Sequence, residues 1–184
     1  RRQHHAEMYR SGELAKDDDM YMGSVDDPEA PKNPIILNRV ASWQRLVLVG
    51  GAVALDTLET PHGRADDALG GSATHFSLSA RRFAPVRLVG VVGKDFPQAH
   101  VEMLKSQQVD LEGLEIAEGK TFRWHGRFKG DMSRAETVSV QLNVFGDFRP
   151  KVPRSYAGTP FVLLGNGAPE TQRTVLDHLE KPKF

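Results

Sequence analysis

The 184-residue chain has no cysteine. That excludes disulfide staples, a thiol nucleophile and any thiolate metal site together. It has no net charge either, with 24 Lys+Arg set against 24 Asp+Glu. Without a basic or acidic bias there is no electrostatic footing for a nucleic-acid or membrane-surface partner. No apolar run approaches the roughly 18–20 residues that a membrane-spanning helix needs, and the N-terminus has no signal-peptide core. The chain is therefore expected to be soluble and cytoplasmic. It lacks a Met at its first position, Arg1, and on that ground reads as a fragment. What is present, 39% hydrophobic and 26% charged residues, is enough to bury a core.

The composition changes along the chain. Residues 1–45 carry the run Asp17-Asp18-Asp19, followed by Pro28, Pro31 and Pro34 among charged neighbours. Charge-dense, apolar-poor sequence cannot offset the entropy of ordering, and this stretch is expected to be a flexible extension. From Leu46 onward, short apolar runs alternate with helix-like stretches. Leu46-Val47-Leu48-Val49, residues 86–92 and residues 161–164 read as buried strands. Residues 72–83, 97–107 and 169–179 read as helices, the last with Pro169 suited to a first turn. That alternation predicts an α/β layer with a mainly parallel sheet. Residues 53–67 and 121–144 are extended but too polar for such a sheet, and they predict a small half-exposed β lid beside it.

Several familiar motifs are missing. Gly50-Gly51 is not part of a G-x-G-x-x-G fingerprint, which disfavours a dinucleotide-binding enzyme. Gly119-Lys120-Thr121 lacks the P-loop spacing and is followed by strand-like sequence, whereas a P-loop must open a helix. The histidines show no zinc-ligand spacing, His4-His5 included, and there is no G-x-S-x-G elbow.

Two constellations remain. Asp56 follows the first strand, and a carboxylate near the carboxyl end of a parallel strand can accept two hydroxyl hydrogen bonds, as a polyol offers. A local turn bond is the competing role. Gly70-Gly71-Ser72 leads into an apolar helix, where paired glycines allow close backbone approach and the helix start favours oxygen ligands. Ser72 is a helix cap or a ligand contact, and His75 lies in the same first turn. Trp124, with Phe122 and Phe128, forms an aromatic alternation that reads first as lid packing.

Taken in order, these residues resemble the N-terminal half of the ribokinase-like (PfkB) carbohydrate kinases, and most of all the bacterial PfkB-type sugar kinases. The likeness runs from about Leu46 to Phe184 and includes Val86 to Phe96 and the strand reaching Gly165-Asn166. It implies an incomplete ribokinase-like three-layer α/β fold with a small β lid, the kinase portion covering 46–184. It implies ATP-dependent phosphorylation of a sugar hydroxyl, with ATP and Mg2+ as cofactors. Asp56, Gly70, Gly71, Ser72, His75, Arg123 and Asn166 would bind the sugar. His75 stands where the family often has Asn. The family's catalytic base is an aspartate in a G-A-G-D motif, and this sequence has no G-x-G-D. No catalytic residue is therefore expected here, and the chain alone is expected to be inactive. The lid strands offer a surface for a homodimer. The rival expectation is a non-catalytic sugar-binding or scaffold protein derived from a kinase half-domain.

Overall fold

The computed structural model describes residues 46–183. The flexible extension expected over 1–45 lies outside the described residues. Eight strands form two four-stranded sheets among the described residues. The main sheet contains β1 (Val47–Gly50), β4 (Val86–Gly93), β5 (Val109–Ala117) and β8 (Phe161–Leu164), in the order β5-β4-β1-β8. All of its pairings are parallel. The second sheet contains β2 (Ala54–Thr60), β3 (Gly63–Gly70), β6 (Phe122–Phe128) and β7 (Ala135–Gln141), in the order β3-β2-β6-β7.

The middle of the main sheet is buried on both sides because β1 and most of β4 are apolar at consecutive positions. Every residue of β4 is buried, and its side chains alternate between two clusters. Leu88 and Val92 pack with Val49, Val53, Leu55, Ala73 and Phe96. Val89 and Val91 pack with Leu48, Phe148, Tyr156 and Val175. Burying each such Val or Leu contributes roughly 1.5–3 kcal/mol. Helices α1 (Ser72–Ala80) and α2 (Gln98–Ser106) cover the first face. Helix α3 (Pro169–Asp177) and the non-regular segment around Phe148 and Tyr156 cover the second. The result is three layers.

The helices start for local reasons. Pro169 occupies the first turn of α3, where a missing N–H costs nothing, and Glu170 beside it complements the helix dipole. After α3 the chain turns back, and Lys183 forms a parallel bridge to Phe161 through its N–H and the Pro160 carbonyl, 2.6 Å apart. The second sheet opposes antiparallel β2–β3 and β6–β7 hairpins through a parallel β2–β6 pairing. Its two excursions leave the main layer at the ends of β1 and β5. Residues 118–121 form no P-loop: Thr121 leads directly into β6.

Candidate functional site

The carboxyl ends of β1 and β8 lie side by side, and the Gly165 N–H donates to the Gly50 carbonyl at 2.7 Å. Each strand is followed by glycine, Gly51 after β1 and Gly165 after β8, and the reason is space. A Cβ on Gly165 would lie 2.3 Å from Ser72 Oγ, and one on Gly51 would lie 3.0 Å from the same atom. Ser72 is therefore drawn to this junction. Its hydroxyl donates to Asn166 Oδ1, and the Asn166 N–H donates back to Ser72 Oγ at 3.2 Å. No side chain caps α1, so of the two roles expected for Ser72, capping is not the one it plays. The helix is held instead by the Ala73 N–H, which donates to the Ala52 carbonyl at 3.0 Å. A small crevice opens at this point, lined among others by Gly50, Gly51, Phe145, Gly165, Asn166 and Gln172.

Gly70 and Gly71 connect this junction to Asp56. Gly71 has φ +96°, and a Cβ there would meet the Ala52 carbonyl oxygen at 2.3 Å, so the turn into α1 requires glycine. Gly70 has a different function. A Cβ there would lie 2.0 Å from Asp56 Oδ2, so the Asp56 side chain occupies the space a larger residue would fill. The carboxylate is half-buried, and burial pushes its pKa above the ordinary carboxylate value, partly countered by the nearby His75. His75 itself is exposed on α1. An Asp with this environment gains from hydroxyl donors, which stabilise its charged form without a counter-ion.

Arg123 behaves differently from the other sequence-predicted site residues. Its register partner across β2–β6 is Leu55, whereas Asp56 pairs with Trp124. In a pleated sheet this puts Arg123 on the face opposite Asp56 and puts Trp124 on the same face. The guanidinium is engaged by two carboxylates, Asp67 and Asp95. The site thus brings together Asp56, Gly70, Gly71, Ser72, Asn166 and, at its rim, His75, but not the Arg123 side chain.

Two features of the site were not assigned from sequence. Trp124 places the six-membered ring of its indole over Gly126, where a Cβ would lie 2.0 Å from the ring, and its Nε1–H donates to Thr137 Oγ1 at 3.2 Å. The aromatic alternation was visible, but which face it shared was not. Asp95 sits in the turn after β4, where its Oδ1 accepts from both the Thr121 N–H and the Thr121 hydroxyl at 2.7 Å. Burial opposes ionisation of Asp95, but these bonds and Arg123 outweigh it and hold the carboxyl below its ordinary value.

No group of three potential metal-ligating side chains occurs among the described residues.

This architecture, a parallel sheet with a β lid over the carboxyl ends of its strands, defines a class. No family model matches the chain. It is 30% identical over 136 residues to the cytidine kinase of Thermococcus kodakarensis, a match covering 73% of this chain and 48% of that protein. The structure is similar to the nucleoside kinase of Methanocaldococcus jannaschii, an archaeal member of the ribokinase family. That match has a TM-score of 0.59 at 16% identity over 76% of this chain and 50% of the other. It is also similar to the ribokinase of Cryptococcus neoformans var. grubii, solved in complex with ADP. Here the TM-score is 0.59 at 23% identity, covering 71% and 45% respectively. The fold is ribokinase-like, and the resemblance to the ribokinase-like (PfkB) kinases read from the sequence is borne out. The chain spans about half the length of the relatives it matches.

Proposed function

We propose that this chain supplies the acceptor-binding half of an ATP-dependent kinase that phosphorylates a sugar hydroxyl. The observation that carries this reading is the half-buried Asp56 carboxylate, set over Gly70 beside the junction of Ser72 and Asn166. Phosphoryl transfer to an alcohol needs the hydroxyl held in line, a base to take its proton and donors for the phosphoryl oxygens. Asp56 serves the first need. It accepts hydrogen bonds from vicinal hydroxyls, and Asn166 at the end of β8 orients the ring. Gly70 and Gly71 shape the wall, and His75 offers a donor or acceptor at the rim. The G-A-G-D aspartate implied as base is not in the sequence, and ATP with its Mg2+ would be held by residues other than those described. The same gap is what a non-catalytic sugar-binding protein would show.

Trp124 favours a nucleoside as the acceptor. An indole fixed at Nε1 on the Asp56 face of the lid is a flat surface one strand away from the hydroxyl-binding carboxylate. A ribose held by Asp56 would place its base within reach of that surface, and base–aromatic stacking contributes about 1–3 kcal/mol. The relative that is a cytidine kinase supports this choice over a free sugar.

Calorimetric titration with ribose, cytidine and ATP tests the reading. Cytidine should bind more tightly than ribose, and Asp56→Ala should weaken both at least tenfold, with no ATP turnover by the chain alone. Unchanged binding in Asp56→Ala would refute the assignment of Asp56. Robust ATP-dependent phosphorylation would refute the half-site, and retained cytidine affinity in a chain that never supports turnover would favour the binding-protein alternative.

A further inference from the structure

We propose that Arg123 is a positioning residue for Asp56, acting through a β-bulge on the neighbouring strand. The inference rests on the reading of Asp56 as the hydroxyl-binding group. The register of β2 against β3 shifts immediately after Asp56: Asp56 pairs with Ala68, but Leu58 pairs with Ala65. Thr57 alone therefore faces Asp66 and Asp67. A bulge of this kind bends its strand and re-aims the side chains next to it. Asp67 carries the left-handed conformation, φ 53°, that an Asp tolerates better than most residues.

The bulge is held from three sides. The Thr57 hydroxyl donates to Asp66 Oδ1 at 3.3 Å, and His100 Nε2 lies 3.2 Å from the Asp67 carbonyl oxygen. Arg123 donates to the Asp67 carboxylate through one arm and, at 3.0 Å, to Asp95 Oδ2 through the other. Asp95 is in turn fixed by Thr121, and buried Thr121 Oγ1 accepts the Gly93 N–H at the end of β4 at 3.0 Å. A continuous chain of bonds thus runs from the end of the main sheet, through Thr121, Asp95 and Arg123, to the bulge that ends at the Asp56–Ala68 pair.

Magnitude separates this role from a stabilising one. Partly exposed ion pairs contribute little to stability, and the side chains of Arg123, Asp67 and Asp95 are 29%, 53% and 28% exposed. Such a network does little for global stability, but it orients a planar guanidinium between a carboxylate on β3 and one in the turn that follows β4. An Arg fork can span both, whereas a Lys ammonium is a single point charge.

A double-mutant cycle on acceptor binding is the test, with cytidine followed by NMR titration to millimolar concentration. Arg123→Met should weaken binding about tenfold with little change in Tm, and Arg123→Lys should recover part of the loss. In an Asp56→Ala background, Arg123→Met should add nothing. Asp67→Asn, which keeps the size of the side chain, should match Arg123→Met and not add to it; it also stands in if the Met variant fails to fold. Unchanged binding in Arg123→Met and Asp67→Asn, or a loss that adds fully to that of Asp56→Ala, overturns the positioning role. If Asp56→Ala itself leaves binding unchanged, the hydroxyl-binding reading fails first, and the inference falls with it.

Discussion

Asp56 is held in a state that serves binding at the expense of stability. Its pKa is raised because burial penalises the charged form. A carboxyl with a raised folded pKa binds its proton more tightly folded than unfolded, so the fold loses stability as pH rises from the unfolded value through the folded one. The penalty is complete at neutral pH and absent in acid, where both states are protonated. Asp56→Asn, which keeps the shape next to Gly70, should therefore raise Tm at pH 7 and lose that advantage as pH falls below the ordinary carboxylate range. The same variant should bind the acceptor poorly. Thermal melts of both proteins across pH 3–8 check the prediction, and a Tm gain that persists in acid would contradict it. Asp56, Gly70, Gly71, Ser72, His75 and Asn166 could all be singled out from sequence because glycine pairs and a strand-end polar residue have local signatures. Asp67 and Asp95 could not. Their importance comes from a bulge and from Arg123, and neither can be read from a one-dimensional pattern.

At the scale of elements, legibility followed burial. The strands β1 and β8 are uninterrupted apolar runs and β4 is broken only by Arg87, and helices α1, α2 and α3 fall within a few residues of the expected 72–83, 97–107 and 169–179. Strand β5 was missed because Val-Asp-Leu-Glu-Gly-Leu-Glu-Ile-Ala alternates like a sheet edge, with Ile116 65% exposed. The core role of Phe148 and Tyr156 was hidden by a segment with almost no regular structure. Tyr156 is fully buried there, and its hydroxyl donates to the Asp110 carbonyl at 3.3 Å. In the second sheet the polar character that marked the lid has a purpose. Glu59 accepts from Arg127 at 2.6 Å, Arg64 at 2.7 Å and His125 at 3.0 Å, joining β2, β3 and β6. Arg127, first among these donors, holds the Glu59 carboxyl below its ordinary value. A depressed folded pKa contributes stability above the unfolded value, and that stability is lost as pH falls through the folded one. The lid should therefore loosen in acid before the main sheet does. Hydrogen exchange, corrected for intrinsic rates, should show β2 and β6 losing protection near pH 3 while β4 keeps it. Glu59→Gln should show the same loosening already at pH 6. Equal protection of the two sheets at pH 3 would count against the ladder.

For the whole molecule, the question is what covers the edge of the lid. Every residue of β7 is exposed, and it is the outermost strand of its sheet. Val138, Val140 and Leu142 are 42%, 51% and 51% exposed. An edge strand carries unpaired backbone groups, and native proteins usually protect it with charge, proline or a partner. Here Glu136 is the only charged residue on β7, and its carboxylate is occupied by Lys129 at 2.7 Å. The edge carries little charge and no proline where protection would be expected, which suits a second copy of the same chain placing its own lid alongside. A two-fold arrangement would bury both valines and bring the two Trp124 faces toward a shared opening. Sedimentation velocity over micromolar concentrations should show a reversible dimer, and Val140→Lys should shift it to monomer without lowering Tm. If the lid edge has no part in self-association, Val140→Lys will leave the sedimentation coefficient and its concentration dependence unchanged. The cytidine titration then connects this scale to the site. If the partner's lid helps close the opening over Asp56, cytidine should favour the dimer, and Val140→Lys should weaken cytidine binding while ribose binding, confined to the floor of the site, changes much less.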